Sequence, residues 1–392
     1  MGISLKSIKE FDVKNKKVLV RCDFNVALGK KGEVQDDFRI KQTLPTIKYL
    51  LQKGAKIILM SHLDDPEGKR VESLRLTPIQ KKLEKYLGLA VIKTEDSVGR
   101  KIQKQVSGMK EGQILLLENL RFYNGEKKND SEFAKELAKF GDFFINDAFS
   151  VCHRSHASIV GIPKYLPSAA GFLLEREVKI LSRVLENPWR PLVVLIGGIK
   201  ISTKIKLIRQ FLEKADHVLI GGKIANDILT VKGICVGSPW PEEKITKEIE
   251  SFALTSTKLH LPVDVLASSD DTGKVYIRVS APAKVRKDEL LLDIGPETIN
   301  IFSNIINQAK MIVWSGPMGF FENPLFENGT KAIAEKIARA HKSYKIVGGG
   351  DTLLAISKFG LIDKFDYVST GGGAMLSFLS GEELPGLKVL AK

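Results

Sequence analysis

Arg39, Arg121 and Arg154, together with Asp23, Asn25 and His62, fall at or just after the ends of apolar runs, or in loops, in the first half of the chain. A guanidinium presents a rigid fork of donors that matches carboxylate and phosphate oxygens. Three arginines in non-helical, strand-terminal positions could therefore converge on a small polyanion. The second half carries glycine instead, with Gly-Gly at 197–198 and 221–222 and Gly-Gly-Gly at 348–350 and 371–373. Three of these clusters directly follow an apolar run, and the fourth is separated from one by Ser369 and Thr370. Any one cluster could be an ordinary strand-to-helix turn; four at strand ends in one half argue for more. Glycine lets backbone approach a ligand closely, and the free N–H groups of a helix start attract anions. GGGDTLLAISKFG (348–360) and STGGGAMLSFL (369–379) both have that form.

Other chemistries find less support. No G-x-x-x-x-G-K-[ST] occurs, no G-x-G-x-x-G follows the first strand, and protein-kinase signatures are missing. Cys152, His153 and His156 are loosely spaced around Arg154 without an evident fourth ligand, so polar packing or contact with an anionic substrate fits them better than a metal.

These residues need a scaffold, and the hydrophobic pattern supplies one. Apolar runs recur at VLV (18–20), KIILM (56–60), AVI (90–92), ILLL (114–117), FFI (143–145), LVVLI (192–196), HVLI (217–220), MIVW (311–314), KIV (345–347) and YVS (367–369). Short runs without alternation suit strands buried on both faces of a parallel sheet. Amphipathic stretches lie between them, such as TKIKLIRQFLEK (203–214), and this alternation predicts an α/β architecture. LLEREVKILSRVLE (173–186) reads as one helix, ended by Asn187-Pro188, that links an α/β unit on either side. KVYIRV (274–279) alternates like a local antiparallel strand.

The 392 residues predict two or three domains, and 43% hydrophobic with 27% charged residues is ordinary for a folded soluble protein. Sixty Lys+Arg against 46 Asp+Glu give a net charge of +14, which attracts nucleic acid, an acidic membrane or phosphorylated small molecules alike. Three scattered cysteines do not make a disulfide framework. No apolar stretch approaches the ~20 residues of a bilayer span, and the N-terminus lacks a secretory pattern. The expectation is a cytoplasmic protein with no membrane partner.

Eleven ordered blocks go further: RCDFNV (21–26), DDFRI (36–40), SHL (61–63), LLLENLRFYNGEKKND (115–130), INDAFSVCHRSHAS (145–158), GGIKISTKI (197–205), LPVD (261–264), DIGPET (293–298), VWSGPMGFFE (313–322), GGGDT (348–352) and STGGGA (369–374). Along essentially its whole length the chain resembles the phosphoglycerate kinases. The resemblance implies two Rossmann-like three-layer αβα domains with parallel sheets joined by a linker helix. Residues 1–172 would bind 3-phosphoglycerate or 1,3-bisphosphoglycerate, 173–186 would link and act as a hinge, and 187–374 would bind ATP or ADP with Mg2+. Residues 375–392 would pack back on the N-terminal domain. The implied reaction is the glycolytic transfer of a phosphoryl group between 1,3-bisphosphoglycerate and ADP, after domain closure, in a monomer that binds no nucleic acid.

By the same resemblance, Asp23, Asn25 and His62 would hold the glycerate hydroxyl and carboxylate region, and Arg121 and Arg154 the phosphate that stays. Arg39 would face the carboxyl group and the moving phosphoryl, with Lys200 and Lys204 approaching from the nucleotide side. Gly198, Gly221, Gly349, Gly350 and Thr352 would cradle the nucleotide, Glu322 the ribose, and Asp351 the nucleotide-bound magnesium. Amides at Gly371 and Gly372 would stabilise the transferring group. The chain departs from the pattern at several places: Asp65 stands where the family has an arginine that engages the phosphoglycerate phosphate, and Lys223 where it has glycine. Ala27, Thr203 and Ser315 replace residues usual in the family. Lys69 or Arg70 would be the nearby substitutes for the lost arginine. A family member with weakened catalysis, acting as a ligand-binding protein, is the alternative these departures raise.

Overall fold

A computed structural model describes residues 4–235, 240–252 and 256–392. The chain divides into two compact units, one of residues 1–182 with 383–392 and one of residues 183–382.

In the first unit the strands are β1 (Lys17–Arg21), β2 (Lys56–Met60), β3 (Val91–Lys93), β4 (Ile114–Leu116), β5 (Phe143–Asn146) and β6 (Ser168–Ala170). They form one parallel sheet in the order β3-β4-β2-β1-β5-β6. Helices on both faces bury it: Val18 and Val20 of β1 belong to one core with Ile57, Ile79 and Leu83, while Leu19 belongs to another with Ile58, Leu137 and Phe144. This two-sided burial is why the strands read as unbroken apolar runs. The carboxyl ends of β1, β2, β4 and β5 lie side by side at the middle of the sheet, so the loops that follow them converge. Residues 383–392 return to this unit. Gly386 donates its N–H to Cys152 O at 2.9 Å, and Lys6 donates to Leu390 O at 3.2 Å.

The second unit adds β7 (Leu192–Ile196), β8 (His217–Ile220), β9 (Leu259–His260), β10 (Val265–Ser268), β11 (Arg278–Ser280), β12 (Leu290–Ile294), β13 (Met311–Ser315), β14 (Tyr344–Val347) and β15 (Tyr367–Val368). Its parallel sheet runs β15-β14-β13-β7-β8-β9. All ten apolar runs read from the sequence fall on strands of the two parallel sheets. A separate antiparallel sheet, β11-β10-β12, sits in this unit too. Of the alternating stretch 274–279 only its end is a strand. Val275, 71% exposed, precedes the ladder. The helix read at 173–186 spans Phe172–Glu186, and Asp147 holds its start by accepting from the N–H of Leu173 at 2.9 Å.

Candidate functional site

Five candidate residues of the first unit lie on the connections after its four central strands: Asp23 and Asn25 after β1, His62 after β2, Arg121 after β4 and Arg154 after β5. Arg39 does not share their setting. It is the second residue of the helix Phe38–Gln52, not part of a loop. Asp36 starts that helix by accepting from the N–H of Phe38 at 2.9 Å. Side chains in a first turn lean back toward the N-terminus, and Arg39 Nη1 accordingly reaches Asp23 Oδ2 at 2.6 Å. The same oxygen accepts from Ser150 Oγ at 2.5 Å.

Arg121 occupies a single 3-10 turn, Leu120–Phe122, whose start Asn119 caps by accepting from the Arg121 N–H at 3.1 Å. Its Nη1 donates to Asp64 O at 2.7 Å. The residue is 6% exposed, yet its Nε has no hydrogen-bond partner. Burial and the guanidiniums of Arg154 and Arg21 hold its pKa below the ordinary arginine value. A buried donor left open beside other cations is a place prepared for an anion. His62 is buried as well. Desolvation, with Arg21, Arg121 and Arg39 around it, depresses its pKa well below the usual range, so the ring is neutral.

Beneath these residues lies a network that reading the sequence did not single out. Arg21, fully buried at the end of β1, donates from Nε to Ser158 Oγ at 2.8 Å and from Nη1 to Cys22 O at 2.5 Å. Its Nη2 meets His62 Nδ1 at 3.2 Å and lies 3.8 Å from Glu126 Oε1. Glu126 also accepts from Ser158 Oγ at 2.5 Å. The strand-terminal position of Arg21, inside RCDFNV, was the available signal. Cys152 is buried and hydrogen-bonded toward Ala148 O, and among the described residues no group of three His, Cys, Asp or Glu could hold a metal.

In the second unit every glycine cluster follows the carboxyl end of a parallel strand: β7, β8, β14 or β15. Gly197 and Gly316 pack so closely that a Cβ on Gly316 would lie 2.1 Å from Gly197 O. Two adjoining cavities open there. One, of about 370 Å³, is walled mostly by apolar groups, including Val265, Leu290, Leu291, Ile294 and Met318, with Glu322 at its edge. The other, of about 350 Å³, is lined by Lys200, Lys204, Gly349, Gly350, Thr352 and Gly372. Gly198, Ile199 and Asp351 border both, so an apolar slot opens into an amide- and lysine-lined end.

Lys204 Nζ donates to Gly197 O at 2.6 Å and Ser315 O at 3.2 Å. Burial pushes its pKa down to about 8, against the pull of Asp351. Thr352 Oγ1 accepts from the Gly316 N–H at 2.6 Å, which fixes the cradle's backbone. The N–H of Gly371 is engaged by Ser369 Oγ at 3.0 Å; Gly372 and Gly373, not Gly371, border the cavity. Gly221 borders neither cavity, whereas Gly222 lines the apolar one. Lys223 turns along its helix to Asp227 Oδ1 at 2.6 Å while still lining the apolar cavity. The apolar wall contributed by β10 and β12 also went unread in the sequence.

The phosphoglycerate kinase family model matches residues 8–382. A phosphoglycerate kinase of Dictyoglomus turgidum (strain DSM 6724 / Z-1310) is 45% identical over 391 residues, covering 99% of this chain and 98% of that protein. Among solved structures, phosphoglycerate kinase from Coxiella burnetii superposes with a TM-score of 0.86 at 38% identity, over 99% of this chain and all of that one. The Pyrococcus horikoshii OT3 enzyme gives 0.84 at 31% identity, over 98% of each chain. The chain belongs to the phosphoglycerate kinase family.

Proposed function

We propose that this chain catalyses the reversible transfer of a phosphoryl group between the acyl phosphate of 1,3-bisphosphoglycerate and ADP, giving 3-phosphoglycerate and ATP. The observation that carries the reading is the buried Arg121 with an open Nε, set among Arg39, Arg154 and a neutral His62, in a chain of this family. The glycine-and-lysine cradle beside an apolar slot in the second unit supports nucleotide as the other substrate.

Phosphoryl transfer needs alignment and charge neutralisation more than a nucleophilic side chain. The attacking atom is already an oxyanion, a carboxylate in one direction and an ADP phosphate in the other, so no general base is assigned. Arg121 and Arg154 grip the phosphate that stays, and Asp23, Asn25 and His62 orient the glycerate. Arg39, Lys200, Lys204 and the Gly372 amide offset charge on the moving group. Gly198, Gly349, Gly350 and Thr352 shape the phosphate cradle, and Glu322 meets the ribose. A lone exposed carboxylate, Asp351, at the start of the helix Gly350–Lys358 suits magnesium held mainly by nucleotide phosphates. Magnesium, when bound, neutralises charge between the phosphates.

The two residue sets belong to different units, so turnover requires closure, with the helix Phe172–Glu186 as the hinge. Closure also removes water that would hydrolyse the acyl phosphate. We place the enzyme in the cytoplasm as a monomer; among the described residues no helix is long and apolar enough to cross a membrane. The deciding experiment is a coupled assay with 3-phosphoglycerate and Mg-ATP. Saturable turnover is expected, and its absence with every nucleoside triphosphate tried would refute the reading.

A further inference from the structure

A carboxylate beside a phosphate grip works against it, and Asp65 is held in that position. The peptide groups of its neighbour Asp64 are pinned by two candidate substrate residues. The Asp64 N–H donates to Asn25 Oδ1 at 2.8 Å, and Asp64 O accepts from Arg121 Nη1 at 2.7 Å. Asp64 itself takes a left-handed φ of 54°, a conformation uncommon outside glycine that aspartate adopts more readily than most residues. Of the substitutes suggested by sequence proximity, Arg70 does not answer it. Arg70 is engaged elsewhere, donating to Glu95 O at 3.0 Å and pairing with Asp96 Oδ1 at 2.9 Å.

Lys127 does answer it. From the short helix Asn124–Lys128, its Nζ donates to Asp65 Oδ2 at 2.7 Å, with the two side chains 41% and 42% exposed. Lys127, and to a smaller degree Arg121, hold the Asp65 carboxyl below its usual pKa. Lys127 also belongs to the cation group that, with burial, pushes His156 down to about 3, alongside Arg21, Arg121 and Arg154. Asp65 takes one of three ammonium protons, which leaves donors over for an incoming anion.

We propose that Lys127 is a specificity-determining residue for the phosphorylated acid: it cancels Asp65 and keeps the Arg121–Arg154 end of the site positive. This rests on the reading of the first unit as the phosphoglycerate site. It is tested by steady-state kinetics of Lys127→Met, Asp65→Asn and the double variant, varying 3-phosphoglycerate and ATP separately. Lys127→Met should raise the KM for 3-phosphoglycerate about fivefold, the upper end for an exposed pair, with smaller changes in kcat and in the KM for ATP. Asp65→Asn combined with Lys127→Met should recover most of the loss, because the stranded carboxylate is gone. An active wild type whose KM is unmoved by Lys127→Met overturns the inference alone. So does a double variant no better than Lys127→Met, since Lys127 would then not act through Asp65. A wild type without turnover overturns the functional reading and the inference together.

Discussion

Lys204 carries a stability cost, and the cost can be measured. Its amine is partly buried against Gly197 O and Ser315 O, and its pKa falls from the ordinary 10.5 to about 8. At 1.36 kcal/mol per pH unit, keeping it charged at neutral pH costs about 3 kcal/mol. Replacing it by methionine removes that cost but leaves two carbonyls without this donor, at about 1 kcal/mol each. Lys204→Met should then be about 1 kcal/mol more stable than wild type at pH 7, while kcat falls by at least about 100-fold. The sign reverses with pH. Between about 8 and 10.5 the unfolded chain keeps a proton that the folded lysine has released. The unfolded state therefore binds more protons, and wild-type stability relative to the variant rises with pH, by about 3 kcal/mol in full. Urea unfolding at pH 7 to 10, followed by tryptophan fluorescence, is the assay. Trp189, Trp240 and Trp314 all lie in the second unit, so the signal reports the unit that holds Lys204. Phosphates that stabilise the ammonium add a second readout: ADP affinity should fall above pH 8. Parallel wild-type and variant stabilities across that range would refute the buried-charge argument.

Arg39→Ala should lower kcat by at least about 100-fold with nearly unchanged ATP affinity; a near-normal kcat would exclude it from the moving phosphoryl group. His156 has a folded pKa of about 3 against an ordinary 6.5. The unfolded chain binds more protons between those values, so this histidine lowers stability as pH falls below 6.5. His156→Gln should flatten that acid limb in urea titrations, and kcat/KM should show no histidine inflection near pH 6.5, because His62 is held neutral as well. Gly197→Ala would place a Cβ 2.0 Å from Pro317 O. Calorimetry should show a loss of up to about 3 kcal/mol, or roughly 5–10 °C in Tm, together with lost nucleotide binding.

The parallel strands were legible because burial on both faces writes a contiguous apolar run, as in LVVLI at β7, where all five residues are buried. The strands that escaped are those that leave no such mark. Ser168–Ala170 is three small residues on a sheet edge, and Leu259–His260 is only a pair. In β12 the pattern runs exposed, intermediate, intermediate, buried, buried, neither alternating nor fully buried, because part of that strand faces the apolar cavity. A surface whose role is to receive a ligand does not carry the periodicity of a surface that packs on protein. Arg39 was misread for a related reason. A first-turn residue shares the helix but not its buried stripe, so the pattern around it looks like loop.

Partner choice is what local sequence could not supply. Arg21 and Ser158 are 137 positions apart, and Lys127 and Asp65 are 62. Residue type alone did not single out Arg21, Ser158 or Lys127; only the convergence of strand ends decides which charge each one meets. Once those pairs are drawn, the charge of the site becomes countable. Arg39 is matched by Asp23, Arg21 lies near Glu126, and Lys127 is matched by Asp65. Among the described residues neither Arg121 nor Arg154 has a carboxylate within ion-pair distance, and the two histidines are neutral at working pH. The cluster is left with two uncompensated guanidiniums, enough to balance a phosphate monoester near −2. A site for a plain carboxylate would need only one. On the proposed function, that surplus would favour a phosphorylated acid over its dephosphorylated parent, and a single stranded carboxylate at Asp65 would be felt.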